Sequence, residues 1–258
     1  MSIQAAIVNA GQTPTSSSKM RSDAVQDISG YTLFSEGEAG AAHVMAHRML
    51  DENRIEFGHH LLSEWLQHRS GSGSDWIHLQ FHMAVFELEL DDWSAAYARF
   101  VNEILPAAAS TEEALTDAPA LLWRLALTAP TPIELPWVAL RRTALARMER
   151  PSDPFVELHN LLALAGAGDV ASIEQWLQTQ PANVSSRIER LVEQMAVALK
   201  AYASRAYQHA ASVLQSVVPQ LPQVGGSQAQ NLLFQQLEKS CWHQVSDAKF
   251  TPLYANVA

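Results

Sequence analysis

The chain has 258 residues, 17 basic against 27 acidic side chains, a formal net charge of −10 and one cysteine. That length holds one large domain or two small ones with a sizeable core. The acidic balance, with no block of Lys or Arg, excludes a nucleic-acid binder, and the lone Cys241 excludes an internal disulfide framework and a Cys-based zinc finger.

In chain order, residues 1–30 are rich in Ser, Thr and Gln and poor in large apolar groups, and are expected to form a mobile or irregular N-terminal arm. The rest, 31–258, reads as a single helical domain. Ala, Leu and Gln dominate, apolar residues recur at three and four positions, and strand signals are scarce. About eleven helices are predicted. They run over about Gly40–Leu50, Glu52–Gln67, Asp75–Leu90, Trp93–Leu105, Thr111–Thr128, Leu135–Arg147, Asp153–Leu164, Val170–Gln178, Ser185–Tyr202, Arg205–Val218 and Ser227–His243. Gly71 and Gly73 mark a flexible turn, Pro130, Pro132 and Pro136 break the chain near its middle, and Pro219 and Pro222 end the tenth helix. Short connections imply antiparallel neighbours, hence an all-α solenoid of tetratricopeptide-like helical hairpins. Asp92–Tyr97 and Arg205–Ala211 have the small residues of such a hairpin, without a full consensus at a fixed 34-residue period.

Histidine placement carries the chemistry. His43 and His47 are four apart, as are His78 and His82, so each pair shares one helix face. Both pairs sit on A-type helices of successive hairpins and would line the same concave side. Two such pairs suit a first-row divalent metal or an acid–base pocket, with Asp117, Glu87 or Glu157 as the carboxylate behind a ring. Nothing in the sequence requires a cofactor. The plainer alternative is histidines that hydrogen-bond across helix pairs and fix their register. Trp76 and Phe81, beside His78 and His82, would wall a small-molecule pocket or simply fill the core. Arg124 would pair with Asp117, two turns away, or hold an anion. His159 with Glu157 would join the site only if the superhelix curls tightly. Ser227, after Gly225 and Gly226, reads as a plain loop-to-helix N-cap or, alternatively, as an anion site at that helix start. No Cys–His nucleophile or Gly-x-Ser-x-Gly elbow is present.

Four stretches point to a family: His43-Val44-Met45-Ala46-His47; His78 to Glu89; Leu121-Leu122-Trp123-Arg124-Leu125 preceded by Asp117; and Gly225-Gly226-Ser227-Gln228-Ala229-Gln230 followed by Phe234. Their order and spacing resemble the tetratricopeptide repeat protein 38 family over about residues 38–245, the C-terminal half of its longer members. Glu157-Leu158-His159 looks like that family's Asp-x-His. Asn231 and Leu232 stand where the family runs on to Arg and Asp. The resemblance implies a solenoid of helical hairpins and no defined reaction. The absence of the family's N-terminal repeats leads to the expectation of an exposed end helix and a homo-oligomer.

No apolar run approaches the roughly 20 residues of a membrane span, and the N-terminus has no signal-peptide pattern, so a cytoplasmic protein is expected. Two functions stay open: an interaction or scaffold protein that binds a protein or small-molecule partner in a concave groove, or an enzyme or ligand-binding protein with a His-lined pocket that takes a metal. The first expects scattered histidines. The second expects His43, His47, His78 and His82 to meet with a carboxylate behind them.

Overall fold

The computed structural model describes residues 39–71, 73–108, 112–150, 152–181 and 186–250. The expected N-terminal arm lies outside them. The chain divides into two compact units, Met1–Ala42 and His43–Ala258; only residues 39–42 of the first are described.

Among the described residues the protein is all-α, with eleven helices and no strand. They are α1 (Ala39–Asp51), α2 (Ile55–Gln67), α3 (Ser74–Glu89), α4 (Trp93–Arg99), α5 (Glu112–Thr128), α6 (Trp137–Met148), α7 (Pro154–Gly166), α8 (Val170–Thr179), α9 (Arg187–Ala203), α10 (Tyr207–Val217) and α11 (Gln228–Phe250). A π turn, Phe100–Ile104, extends α4 to Ala107, and the two prolines expected after α10 sit in a 3₁₀ helix, Val218–Gln223. No described helix is long and apolar enough to cross a membrane.

Four connections share one chemistry. Asn53, Asp91, Gly168 and Arg205 each take positive φ, of 55°, 60°, 70° and 59°, at the α1–α2, α3–α4, α7–α8 and α9–α10 turns. In each, that residue's N–H bonds three residues back and the next N–H bonds five back: Asn53 to Leu50 and Arg54 to Met49, Asp91 to Leu88 and Asp92 to Glu87, Gly168 to Ala165 and Asp169 to Leu164, Arg205 to Tyr202 and Ala206 to Ala201. This is the Schellman closure, which satisfies the last free carbonyls of a helix. The turns recur about every 38 residues, with one missing between Asp91 and Gly168. The gap falls on the connection holding Pro130, Pro132 and Pro136, whose missing donors and fixed φ cannot make that closure. Two predicted helix starts, Glu52 and Arg205, shift to Ile55 and Tyr207 because non-glycine residues occupy the left-handed position.

Packing follows the turns. Helix α3 packs on α5, α5 on α7 and α7 on α9, giving an inner row; α4, α6, α8 and α10 pack outside it. Inner helices are buried nearly all round, as an apolar helix in a core must be: Ile77 and Leu79–Glu87 of α3, and Leu158–Ala165 of α7. Indole N–H groups cross between helices, Trp93 to the Leu125 carbonyl at 3.0 Å and Trp123 to the Leu162 carbonyl at 2.9 Å. Helix α11 packs on α10 and also back on α5, so the row curls.

Gly168 isolates the backbone term, since a Cβ there would meet nothing within 4 Å. Gly168→Ala is expected to lower stability by about 1 kcal/mol through left-handed strain alone. Urea unfolding of the two proteins measures it; equal midpoints would remove φ as the reason for glycine here.

Candidate metal centre

Helix α1 carries His43 and His47 on one face, and α3 carries His78 and His82 on one face. The four rings meet. His43 Nε2 lies 2.6 Å from His47 Nε2 and 3.0 Å from His78 Nε2, and His82 Nε2 lies 3.1 Å from His78 Nε2. One ligand nitrogen from each ring falls within 4.8 Å of every other. His82 is fully buried and forms the floor; the other three are half-buried. Phe81 stacks on His78 at 5.8 Å with an interplanar angle of 10°. Behind His78 stands Asp117 of α5, 0% exposed, whose Oδ2 accepts from His78 Nδ1 at 2.7 Å.

That carboxylate decides the proton arrangement. A carboxylate oxygen only accepts, so His78 Nδ1 carries the hydrogen and its neutral ring presents Nε2 as a bare lone pair. Each nitrogen in the chain 47–43–78–82 holds either a hydrogen or a lone pair. With His78 Nε2 bare, hydrogens belong on Nε2 of His43 and His82, and His47 Nε2 is bare. Two hydrogens then serve three contacts: one N–H is split between two acceptors, and one lone pair between two donors. Protonating the rings adds charge where the environment resists it. Burial, then the His78 ring, lowers the His43 pKa, against a smaller pull from Asp75. Burial, then His43 and His78, brings His47 to about 4. Burial holds His82 well below its ordinary value, with His78 next in weight. These three rings are therefore neutral near pH 7, the state in which imidazole binds metal. A single cation would accept all four lone pairs at once, with the Nε2 hydrogens of His43 and His82 moved to Nδ1. The other nitrogen of His82, Nδ1, is buried with no hydrogen-bond partner.

The remaining sequence candidates divide. Of the three carboxylates expected behind a ring, Asp117 takes that place. Glu87 does not, because Arg99 holds it through Nε and Nη2, from 2.6 to 3.2 Å, and also donates to Gln80. Glu157 lies in a separate pocket of about 260 Å³ with Ser152, Trp176 and Gln180, where burial raises its pKa. Arg124 is fully buried, and its hydrogen bonds go to the carbonyls of Ala120, Ala229 and Gln230, at 3.1, 2.5 and 3.3 Å, rather than to Asp117. A bare guanidinium there meets helix carbonyls that have spare lone pairs, and burial lowers its pKa to about 10. Arg124 also lies 5.8 Å from the Phe81 ring. Trp76 packs on Trp65, at 6.2 Å. His159 stays outside the four-ring cluster and donates Nδ1–H to the Phe155 carbonyl at 2.7 Å. Ser227 caps α11: its hydroxyl accepts from Gln230 N–H at 3.1 Å while Gln230 Oε1 accepts from Ser227 N–H at 2.8 Å. The Arg99–Glu87–Gln80 network does not follow from the sequence reading, which takes Glu87 as a spare carboxylate; its only local signal is that Gln80 and Glu87 share one face of a helix.

Comparison with known families, curated proteins and solved structures finds no match.

His159 generates a pH prediction independent of any ion. Burial lowers its pKa to about 4, with Arg124 adding to the effect and the Phe155 carbonyl opposing it. Between the unfolded value near 6.5 and about 4, the unfolded chain binds a proton that the folded chain refuses, so stability falls as pH falls through that window. His159→Leu is expected to remove up to about 2 kcal/mol of the loss between pH 7 and pH 5. Urea midpoints with chelator present measure it; parallel pH profiles for variant and parent would count against the assignment.

Proposed function

We propose that this protein binds one first-row divalent metal ion through His43, His47, His78 and His82. The observation that supports the reading is the gathering of four imidazoles, one ligand nitrogen of each within 4.8 Å of the others, with Asp117 fixing the tautomer of His78. Imidazole suits Fe, Ni, Cu and Zn, and a carboxylate behind a ligating ring raises its basicity. A groove-binding scaffold expects scattered histidines, and these are gathered. The stretches that resemble the tetratricopeptide repeat protein 38 family supply the rings, Asp117, and the contact of Arg124 with Ala229 and Gln230.

Elemental analysis after metal loading and desalting is expected to give one ion per chain. His43→Ala/His47→Ala changes half-buried rings and should abolish it while far-UV circular dichroism is retained; His78→Ala/His82→Ala should do the same. Asp117→Asn should weaken binding about 10–100-fold, because the ring it orients loses its fixed tautomer. A parent protein that retains no metal, or a histidine variant that retains it fully, would overturn the reading.

A further inference from the structure

Resting on that metal reading, we infer that the four rings leave one side of the ion open for a small lone-pair donor. The centre thus binds an exogenous water or anion and is not a closed structural clip.

The six ring-centroid separations carry this. Around the circuit 47–43–78–82–47 they are 4.4, 4.6, 4.5 and 4.4 Å. The two diagonals are 6.3 Å for His47–His78 and 5.3 Å for His43–His82. The midpoint of the longer diagonal falls about 3.2 Å from all four centroids. A metal–nitrogen bond of about 2.1 Å, continued about 1.1 Å to the ring centre, gives the same radius. One ion at that point would stand at the bonding radius of every ring whose Nε2 turns toward it, and one ligand nitrogen of each lies within 4.8 Å of the others.

The angles at the point describe a seesaw. The four circuit pairs subtend about 90°, His47 and His78 lie on opposite sides, and His43 and His82 subtend about 110°. The nitrogen contacts agree: the 2.6, 3.0 and 3.1 Å separations bracket the edge of about 3.0 Å that ligands at right angles give. A tetrahedral set would give six equal centroid separations of about 5.2 Å, whereas these run from 4.4 to 6.3 Å.

A seesaw is a trigonal bipyramid without one equatorial ligand, or an octahedron without two neighbouring ones. The sector without a ring lies opposite His43 and His82. His82 is the buried floor, so the sector points away from it. Structural zinc sites are closed tetrahedra, and open positions belong to centres where a ligand or substrate coordinates.

Cobalt(II) and azide test this on the intact chain. The cobalt-loaded protein is expected to show the weak visible bands of five- or six-coordination. Azide should shift them saturably at one per cobalt, with cobalt retained through gel filtration. The His43→Ala/His47→Ala variant should show no such shift. Visible bands that do not respond to azide would overturn the open side and leave the four-histidine site standing. No cobalt uptake by the parent protein would overturn both.

Discussion

The hydrogen bond from His78 Nδ1 to Asp117 is the constraint on which the centre depends. It joins α3 to α5, neighbours in the inner row, at a carboxylate with no solvent exposure. A buried carboxylate is costly unless its oxygens are engaged, so Asp117 needs the ring as much as the ring needs Asp117. Once the hydrogen sits on Nδ1, the far nitrogen of His78 must offer a lone pair, and that nitrogen touches two others. The tautomer of one residue on α3 thereby sets what His43 on α1 and His82 on the floor can do.

Among the described residues, the same row carries the buried polar and charged side chains. Gln80, His82 and Glu87 lie on α3, Thr116, Asp117 and Arg124 on α5, His159 and Asn160 on α7. Each sits where an inner helix is enclosed by neighbours, so each must find partners inside the protein. Arg124 does so through helix carbonyls at the start of α11, and this ties the last helix to the middle of the chain. His159 does so through a carbonyl of its own helix. The residues around Arg124 bear its charge: it disfavours protonation of both His82 and His159. Burial is the larger cause at both rings, and the Arg124 charge adds to it; one of the two is a candidate ligand.

What the sequence disclosed follows what is local. Helices follow from composition and period, and the two His pairs from their four-residue spacing. The meeting of the pairs needed one further step, that alternate helices of a hairpin array share a side. Asp117 was among three carboxylates that spacing could not separate; what separates them is Arg99, which arrives from α4 to occupy Glu87, and the different face on which Glu157 lies. The recurring Schellman turn was invisible for a different reason. Its left-handed residue is Asn, Asp, Gly and Arg in turn, so no residue type repeats. The bond pattern repeats, and only coordinates display it. The same blindness displaced two helix starts.

The shape of the centre follows from how its two halves are built. Each helix contributes a pair whose rings stand 4.4 or 4.5 Å apart, so each would act as a chelate of about 90° toward the proposed ion. Two such chelates share one centre in either of two ways. Crossed and opened equally, they approach a tetrahedron and close the site. Laid with one ring of each on a common axis, they leave the remaining two rings on the same side. In the proposed site the second arrangement applies: the longest separation runs from His47 to His78, whose ring Asp117 holds through Nδ1 while Phe81 stacks on its face. Two contacts therefore hold the one imidazole that the proposed axis needs fixed, and the open side inferred for the ion rests on that ring staying where they hold it.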